Sequence, residues 1–295
     1  MRAVLALALC LAVPVPSFAW GFAAHKLIAE RAIALLPQEL RPLFEKHRAF
    51  IVERSIDPDL WRSAGFESEP PNHFLDIDHE AFGPYPFEGL PRELDAAVQK
   101  FGREFVTGQG MLPWRVQEFS GELLRAFESL KRPNPPAYAL DNIVFYAAIL
   151  AHYVADGHVP LHAVVNYDGQ LTEQHGLHGR WESELFERNQ HKVALAPSAR
   201  APVTRPRDFM FDVLLASNRL AAGVLEADRK AADGREYYDD AYFDAFGAAQ
   251  LPVLTRRLNE SIAAVAAVIA GAWGEAGRPA VPDELPKRPR RVRRP

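Results

Sequence analysis

Seven side chains with metal-binding chemistry, His152, Asp156, His158, His162, His175, His178 and Glu182, crowd one short stretch of this chain, and five of them make up half of its ten histidines. Neutral imidazoles and carboxylates are the donors that hold zinc. Residues four apart share a helix face, so His152 with Asp156 and His178 with Glu182 each form a two-donor ledge. Joined by a loop that carries His162, the two ledges have donors for more than one divalent cation.

These ledges need helices, and the hydrophobic pattern supplies them. Segment 21–36 places Ala24, Leu27, Ile28 and Leu35 on one side and is stopped by Pro37. Further helices are predicted over 38–52, 90–107, 113–131, 138–157, 177–190, 207–232 and 237–274, with a turn at 133–136. Segment 53–89 is rich in Pro, Asp and Phe and lacks periodicity, and long loops of that kind in compact domains tend to be functional. No alternating strand runs and no internal repeat occur, so the expected fold is all-α: one helical domain over 20–278.

The ends differ from the body. Residues 1–19 hold Arg2, an apolar run over 3–13 and the small-residue ending Ser17-Phe18-Ala19, the pattern of a secretory signal peptide cleaved between Ala19 and Trp20. The run is too short to span a membrane, and no later segment offers some twenty apolar residues without charges. A soluble, secreted or periplasmic monomer is expected, touching membranes only peripherally. The sole cysteine, Cys10, would leave with the leader, so neither disulfides nor thiolate ligands are available to the mature chain. Residues 279–295 form a basic tail, read as solvated and disordered. Of the 34 Lys and Arg, Arg2 and six tail residues lie outside 20–286, which leaves 27 against 38 acidic side chains there, a net charge of −11. Such a body repels polyanions unless bound cations reverse the field locally.

Other candidate donors lie upstream. A free amine on Trp20, with its own carbonyl oxygen, can chelate a cation, and His25 follows on the first helix. The run SIDPDLWR offers Asp57 and Asp59, and PNHFLDIDHE offers His73, Asp76, Asp78 and His79. Each is weak alone, since a single helical His is more often packed than ligating and Asp-Pro-Asp is more often a turn.

With WGFAAH, DPDLWR, NHFLD, HYVADGHVPLH and HGLHGRWE, the chain resembles the zinc-dependent phospholipase C and single-strand nuclease (S-one/P-one type) superfamily. The resemblance implies an all-helical fold with three zinc ions. Asp59, His73, His152 and Asp156 would surround the first, and Asp156 would bridge to a second held by Trp20 and His25. His162, His178 and Glu182 would bind the third. It also implies a hydrolase acting on phosphoric esters, in which a zinc-activated water attacks phosphorus. Asp59 would orient that water, Arg62 would clamp phosphate, and Asp76 would support the site. Asp57 is then a turn or capping residue, His158 an outer-sphere or exposed one, His79 and His175 loop residues, and Trp181 a core residue.

Substrate divides the superfamily. The spacings Trp20 to His25 and Asp59 to Arg62 match the nuclease branch. The fourteen residues from Asp59 to His73, the NHFLDID run and Glu182 in place of Asp match the phospholipase branch. The nuclease's Gly-Gly-Asn after His162 is replaced by Asn166-Tyr167-Asp168-Gly169-Gln170, while Leu60 and Pro70 stand where the phospholipase has choline-pocket aromatics. A phospholipase C-like phosphodiesterase is the leading expectation, with a phospholipid substrate. A nuclease or 3'-nucleotidase, acting on single-stranded nucleic acid or nucleotides, is the alternative. A zinc-stabilised helical binding module without turnover would need its metals closed off by ligands, whereas the donor count leaves open positions. A helical surface-interaction protein would need the joint spacing to be chance.

Overall fold

The computed structural model describes residues 20–285. The expected signal peptide and the last ten residues of the basic tail lie outside them. Among the described residues every regular element is helical: α1 (Phe22–Ile33), α2 (Arg41–Lys46), α3 (Arg48–Arg54), α4 (Asp57–Ser63), α5 (Leu94–Phe101), α6 (Arg103–Gln109), α7 (Leu112–Ser129), α8 (Ala139–Asp156), α9 (Leu177–Gly179), α10 (Leu185–Asn189), α11 (Pro206–Ala232) and α12 (Asp240–Glu275). Short 3-10 turns at Pro70–His73, Glu80–Phe82, Pro160–Ala163 and Gln190–Lys192 connect them, and a π turn over Arg180–Glu184 joins α9 to α10. No described helix is long and apolar enough to cross a membrane.

The centre of the molecule is α8. Its sequence is apolar on all sides and fourteen of its eighteen residues are buried, the signature of a helix enclosed by others rather than lying on a surface. It packs on α7, α12, α3 and α1, while α11 covers α7, α12 and the turn Pro160–Ala163. The ledge His152/Asp156 therefore ends a helix that neighbours clamp on every side.

Four expectations change. The helix expected over 38–52 breaks at His47 into α2 and α3. The one expected over 90–107 breaks at Gly102, whose φ of +85° no helical residue adopts. Segment 53–89 is not structureless: α4 and two 3-10 turns lie within it. Seven residues are too few to show apolar periodicity, but Asp57-Pro58 is a helix start, since proline's missing N–H costs nothing in the first turn. Residues at 279–284, expected to be tail, pack on the body: Pro279 O accepts Trp273 Nε1–H, Val281 is buried, and Glu284 pairs with Lys46 at 2.7 Å.

Segment 71–76, which carries His73 at the end of its 3-10 turn and is irregular after it, is pinned by backbone bonds. Met111 N–H donates to Pro71 O, Leu112 N–H to Phe74 O and Asp76 N–H to Gln109 O. Gly110 makes this crossing possible. It sits at φ +108°, and a Cβ there would stand 2.2 Å from Phe74 O.

Candidate metal centre

Three groups of buried side chains bring donor atoms within 4.8 Å of one another: His25, His152 and Asp156; Asp59, His73 and His152; His162, His178 and Glu182. His152 belongs to the first two groups. Asp156 Oδ1 lies 3.9 Å from His162 Nδ1, so the third adjoins them.

Seven elements deliver these side chains. The last turn of α8 gives His152 and Asp156 at the negative end of a helix dipole, where cations are favoured. The first turns of α1 and α4 give His25 and Asp59, and the 3-10 turns Pro70–His73 and Pro160–Ala163 give His73 and His162. From α9 and the π turn come His178 and Glu182. The His25 ring stacks on His152 with centroids 3.9 Å apart. Asp156 is the hub: Oδ2 is 3.0 Å from His73 Nδ1 and 3.3 Å from His152 Nε2, and Oδ1 is 3.3 Å from His25 Nε2. In the third group His178 Nε2 is 2.9 Å from His162 Nε2 and 2.8 Å from Glu182 Oε2.

Nearby groups orient the donor edges. His152 Nδ1 donates to Ser55 O at 2.8 Å, which turns Nε2 toward the cluster. Asp168 accepts the backbone N–H groups of Gly176 and His178 and so holds the start of α9. Arg180, between His178 and Glu182 in sequence, is buried and donates to Asp228 Oδ1 and Tyr242 Oη, tying the π turn to α11 and α12. Trp20 Nε1–H donates to Ala155 O at 2.9 Å and its ring lies 5.3 Å from that of Trp181, which is fully buried. The Trp20 ring thus wedges between the residues preceding Asp156 and Glu182.

The electrostatics express how many donors converge. Burial pushes the Asp156 carboxyl up, but His152, His25 and His73 outweigh it and hold Asp156 well below the usual range. Burial lowers His73, yet Asp156, Glu69 and Asp59 raise it to about 9. Burial and the neighbouring His152 keep His25 below its ordinary value. Glu182 is pushed up by burial and brought down further by His178 and His162.

The donors fit zinc. Both Asp59 oxygens and Asp156 Oδ1 are buried without a hydrogen-bond donor, a costly state for carboxylates that a cation relieves. The donor set is nitrogen and oxygen throughout, arranged as three groups for three ions.

The remaining candidates fall elsewhere. Arg62 Nη2 is 3.7 Å from Asp59 Oδ1, and its charge reaches His178, so it stands between the second and third groups. Asp57 opens α4 and bonds Arg54 at 3.1 Å, outside all three groups. Asp76 is largely buried and raised to about 7 by burial and then Asp78. His79 accepts from Ala81 N–H, and His175 is exposed. His158 is not exposed and is a member of none of the three groups: it is buried, donates from Nδ1 to Val154 O, and burial with Arg257 holds it well below the ordinary histidine value.

Glu69, Tyr153 and Arg115, which pack behind His73, were not signalled by the sequence. Glu69 precedes His73 by four residues, a helical spacing, but Pro70-Pro71 between them argues against an α-helix.

Among curated proteins no match was found. A family model described as zinc-dependent phospholipase C matches residues 24–226, well over half of the chain and all the side-chain donors above. The match agrees with the all-helical fold and the three donor groups, and it brings with it zinc dependence and phosphoric ester hydrolysis as the class of chemistry. This chain belongs to the zinc-dependent phospholipase C family.

Proposed function

We propose that the protein is a trinuclear zinc phosphodiesterase of phospholipase C type, exported from the cell, acting on phospholipid headgroup esters. The observation that carries this is the contiguity of the three buried donor groups through His152 and Asp156. Asp59, His73, His152 and Asp156 would hold one ion, Asp156, His25 and the amine and carbonyl of Trp20 a second, and His162, His178 and Glu182 the third. Bound zinc supplies Lewis acidity toward phosphoryl oxygens and makes a water acidic enough to deprotonate near neutral pH.

The chain's own groups do the rest. Asp59 has two carboxylate oxygens with no hydrogen-bond donor, so one could ligate while the other takes the proton of the attacking water; as the water oxygen bonds phosphorus the ester P–O bond breaks, and the departing alkoxide takes up that proton. Arg62, partly exposed between Asp59 and His178, pairs with a non-bridging phosphoryl oxygen and stabilises charge that grows in the transition state.

The loop after His162 favours phospholipid. Asn166 bonds Leu171 N–H and Thr172, Asp168 bonds Gly176 and His178 N–H, and Gln170 donates to Val165 O. Its polar side chains are engaged within the protein, and what it offers outward is the Tyr167 ring, 46% exposed and 5.9 Å from the His178 ring. An exposed aromatic face suits the quaternary ammonium of a choline headgroup, which binds over such rings. The Asp59/Arg62 pairing favours a nuclease as the second reading.

The test is turnover of protein beginning at Trp20 on phosphatidylcholine vesicles, single-stranded DNA and 3'-mononucleotides, each with zinc or chelator. Zinc-dependent release of phosphocholine that exceeds nucleotide release is expected. Cleavage confined to nucleic acid would overturn the phospholipid assignment, and chelator-resistant cleavage the zinc one.

A further inference from the structure

Glu69 lies on the side of His73 opposite the three donor groups. It is 4% exposed and immediately precedes the turn Pro70–His73. Its Oε1 accepts the Tyr153 hydroxyl and stands 3.5 Å from His73 Nε2. Its Oε2 accepts from Arg115 Nη2 and Asn72 Nδ2, each at 3.2 Å. Arg115 is itself held over the rings of Phe119 and Tyr153, at 4.6 and 5.3 Å. A buried carboxylate is costly even when paired, and this one is braced so that one oxygen faces an imidazole edge.

The other edge of that imidazole faces the cluster. His73 Nδ1 is 3.0 Å from Asp156 Oδ2, 3.1 Å from His152 Nε2 and 3.8 Å from Asp59 Oδ1. A neutral imidazole carries one N–H and one lone pair. Nε2 is buried, has no hydrogen-bond partner and has Glu69 Oε1 3.5 Å away; with the hydrogen on Nε2 the lone pair of Nδ1 is left for a cation. We infer that Glu69 is a positioning residue which selects this tautomer of His73 and sets the ring plane, and that Tyr153 and Arg115 keep its carboxylate in place. Tyr153 follows His152 on α8, so the helix that supplies the central ledge also supplies the hydroxyl that braces Glu69. The inference rests on His73 being a zinc ligand.

Zinc affinities and stoichiometry of Glu69→Gln, Glu69→Asp and His73→Ala, measured by competition with a chromophoric chelator, test it. Glu69→Gln should weaken one of three ions by about 10–100-fold and leave two unchanged, with partial recovery in Glu69→Asp. In cadmium-loaded, nitrogen-15-labelled protein the one-bond metal coupling should fall on His73 Nδ1, and in Glu69→Gln it should split between the two ring nitrogens. Three ions held as in the wild type, or all three weakened alike as general loosening would do, overturns the role. If His73→Ala keeps three ions, the ligand reading itself fails. Should Glu69→Gln not fold, Tyr153→Phe, which releases Oε1 from its brace, must weaken the same ion several-fold, and unchanged affinity overturns the inference.

Discussion

Replacing Asp156 by Asn should remove two zinc ions at once and leave one. The carboxylate is fully buried and its two oxygens serve different neighbours, Oδ1 facing His25 at 3.3 Å and Oδ2 facing His73 and His152 at 3.0 and 3.3 Å. Asn keeps the volume and one acceptor but removes the charge and puts an N–H₂ against one of those donor sets. Loss of an outer partner of a metal ligand typically costs about 10–100-fold in affinity, so loss of a shared ligand should cost at least about 100-fold at each of two sites. That is about 2.7 kcal/mol per ion. At a fixed excess of zinc the linked stabilisation then falls by about 5 kcal/mol, or roughly 10–20 °C in Tm for a chain of this size. The third ion should stay, because His162, His178 and Glu182 form their group without Asp156. Elemental analysis after dialysis against buffered zinc gives the count, and calorimetry with and without zinc gives the linked stability. A variant that keeps three ions, or loses only one, refutes the shared role; a Tm gap that chelator leaves unchanged refutes the linkage.

Three other perturbations have defined outcomes. Asp76 is raised from 3.8 to about 7 by burial, so its contribution favours the fold fully below about pH 4 and is lost as pH rises through 7; Asp76→Asn should flatten that part of the stability curve and gain stability at pH 8 relative to pH 5, as denaturant titration at the two pH values would show. Gly110→Ala demands φ +108° of an alanine and drives its Cβ into Phe74 O; a loss of more than about 2 kcal/mol is expected, with weakened zinc binding at the His73 group, both measurable by zinc titration and urea melts. A form with one residue retained before Trp20 should lose one zinc and most of its turnover, and a fully active form with three ions would count against Trp20 as a ligand.

What the sequence made legible follows from how local each signal is. The ledges His152/Asp156 and His178/Glu182 depend only on helical spacing and were readable directly, as was the burial of α8 from its apolar surround. Three of the seven donor-bearing elements were not, because they are short. Pro70–His73 and Pro160–Ala163 are single turns, and α4 is seven residues, so their positions come from tertiary pinning such as the Gly110 crossing. The π turn at Arg180–Glu184 was likewise hidden, since a helical pattern does not reveal one wider turn. His158 shows the reverse limit: its offset from the His152 face was plain, but its burial depends on what packs against Gly157 and Arg257, which no local pattern carries. Glu69 was obscured by its prolines.

The anchoring of Arg180 divides what a sequence pattern marks from what a working site needs. All the side-chain donors lie before residue 183, and the family match ends at 226, yet Arg180 is held by Asp228 and Tyr242 beyond it. A gene fragment cut at the matched boundary would still encode every such donor and would lack the splint for the turn that bears Glu182. Transplants of this site into other helical scaffolds must therefore carry the start of α12 as freight, although that helix contributes to none of the three donor groups.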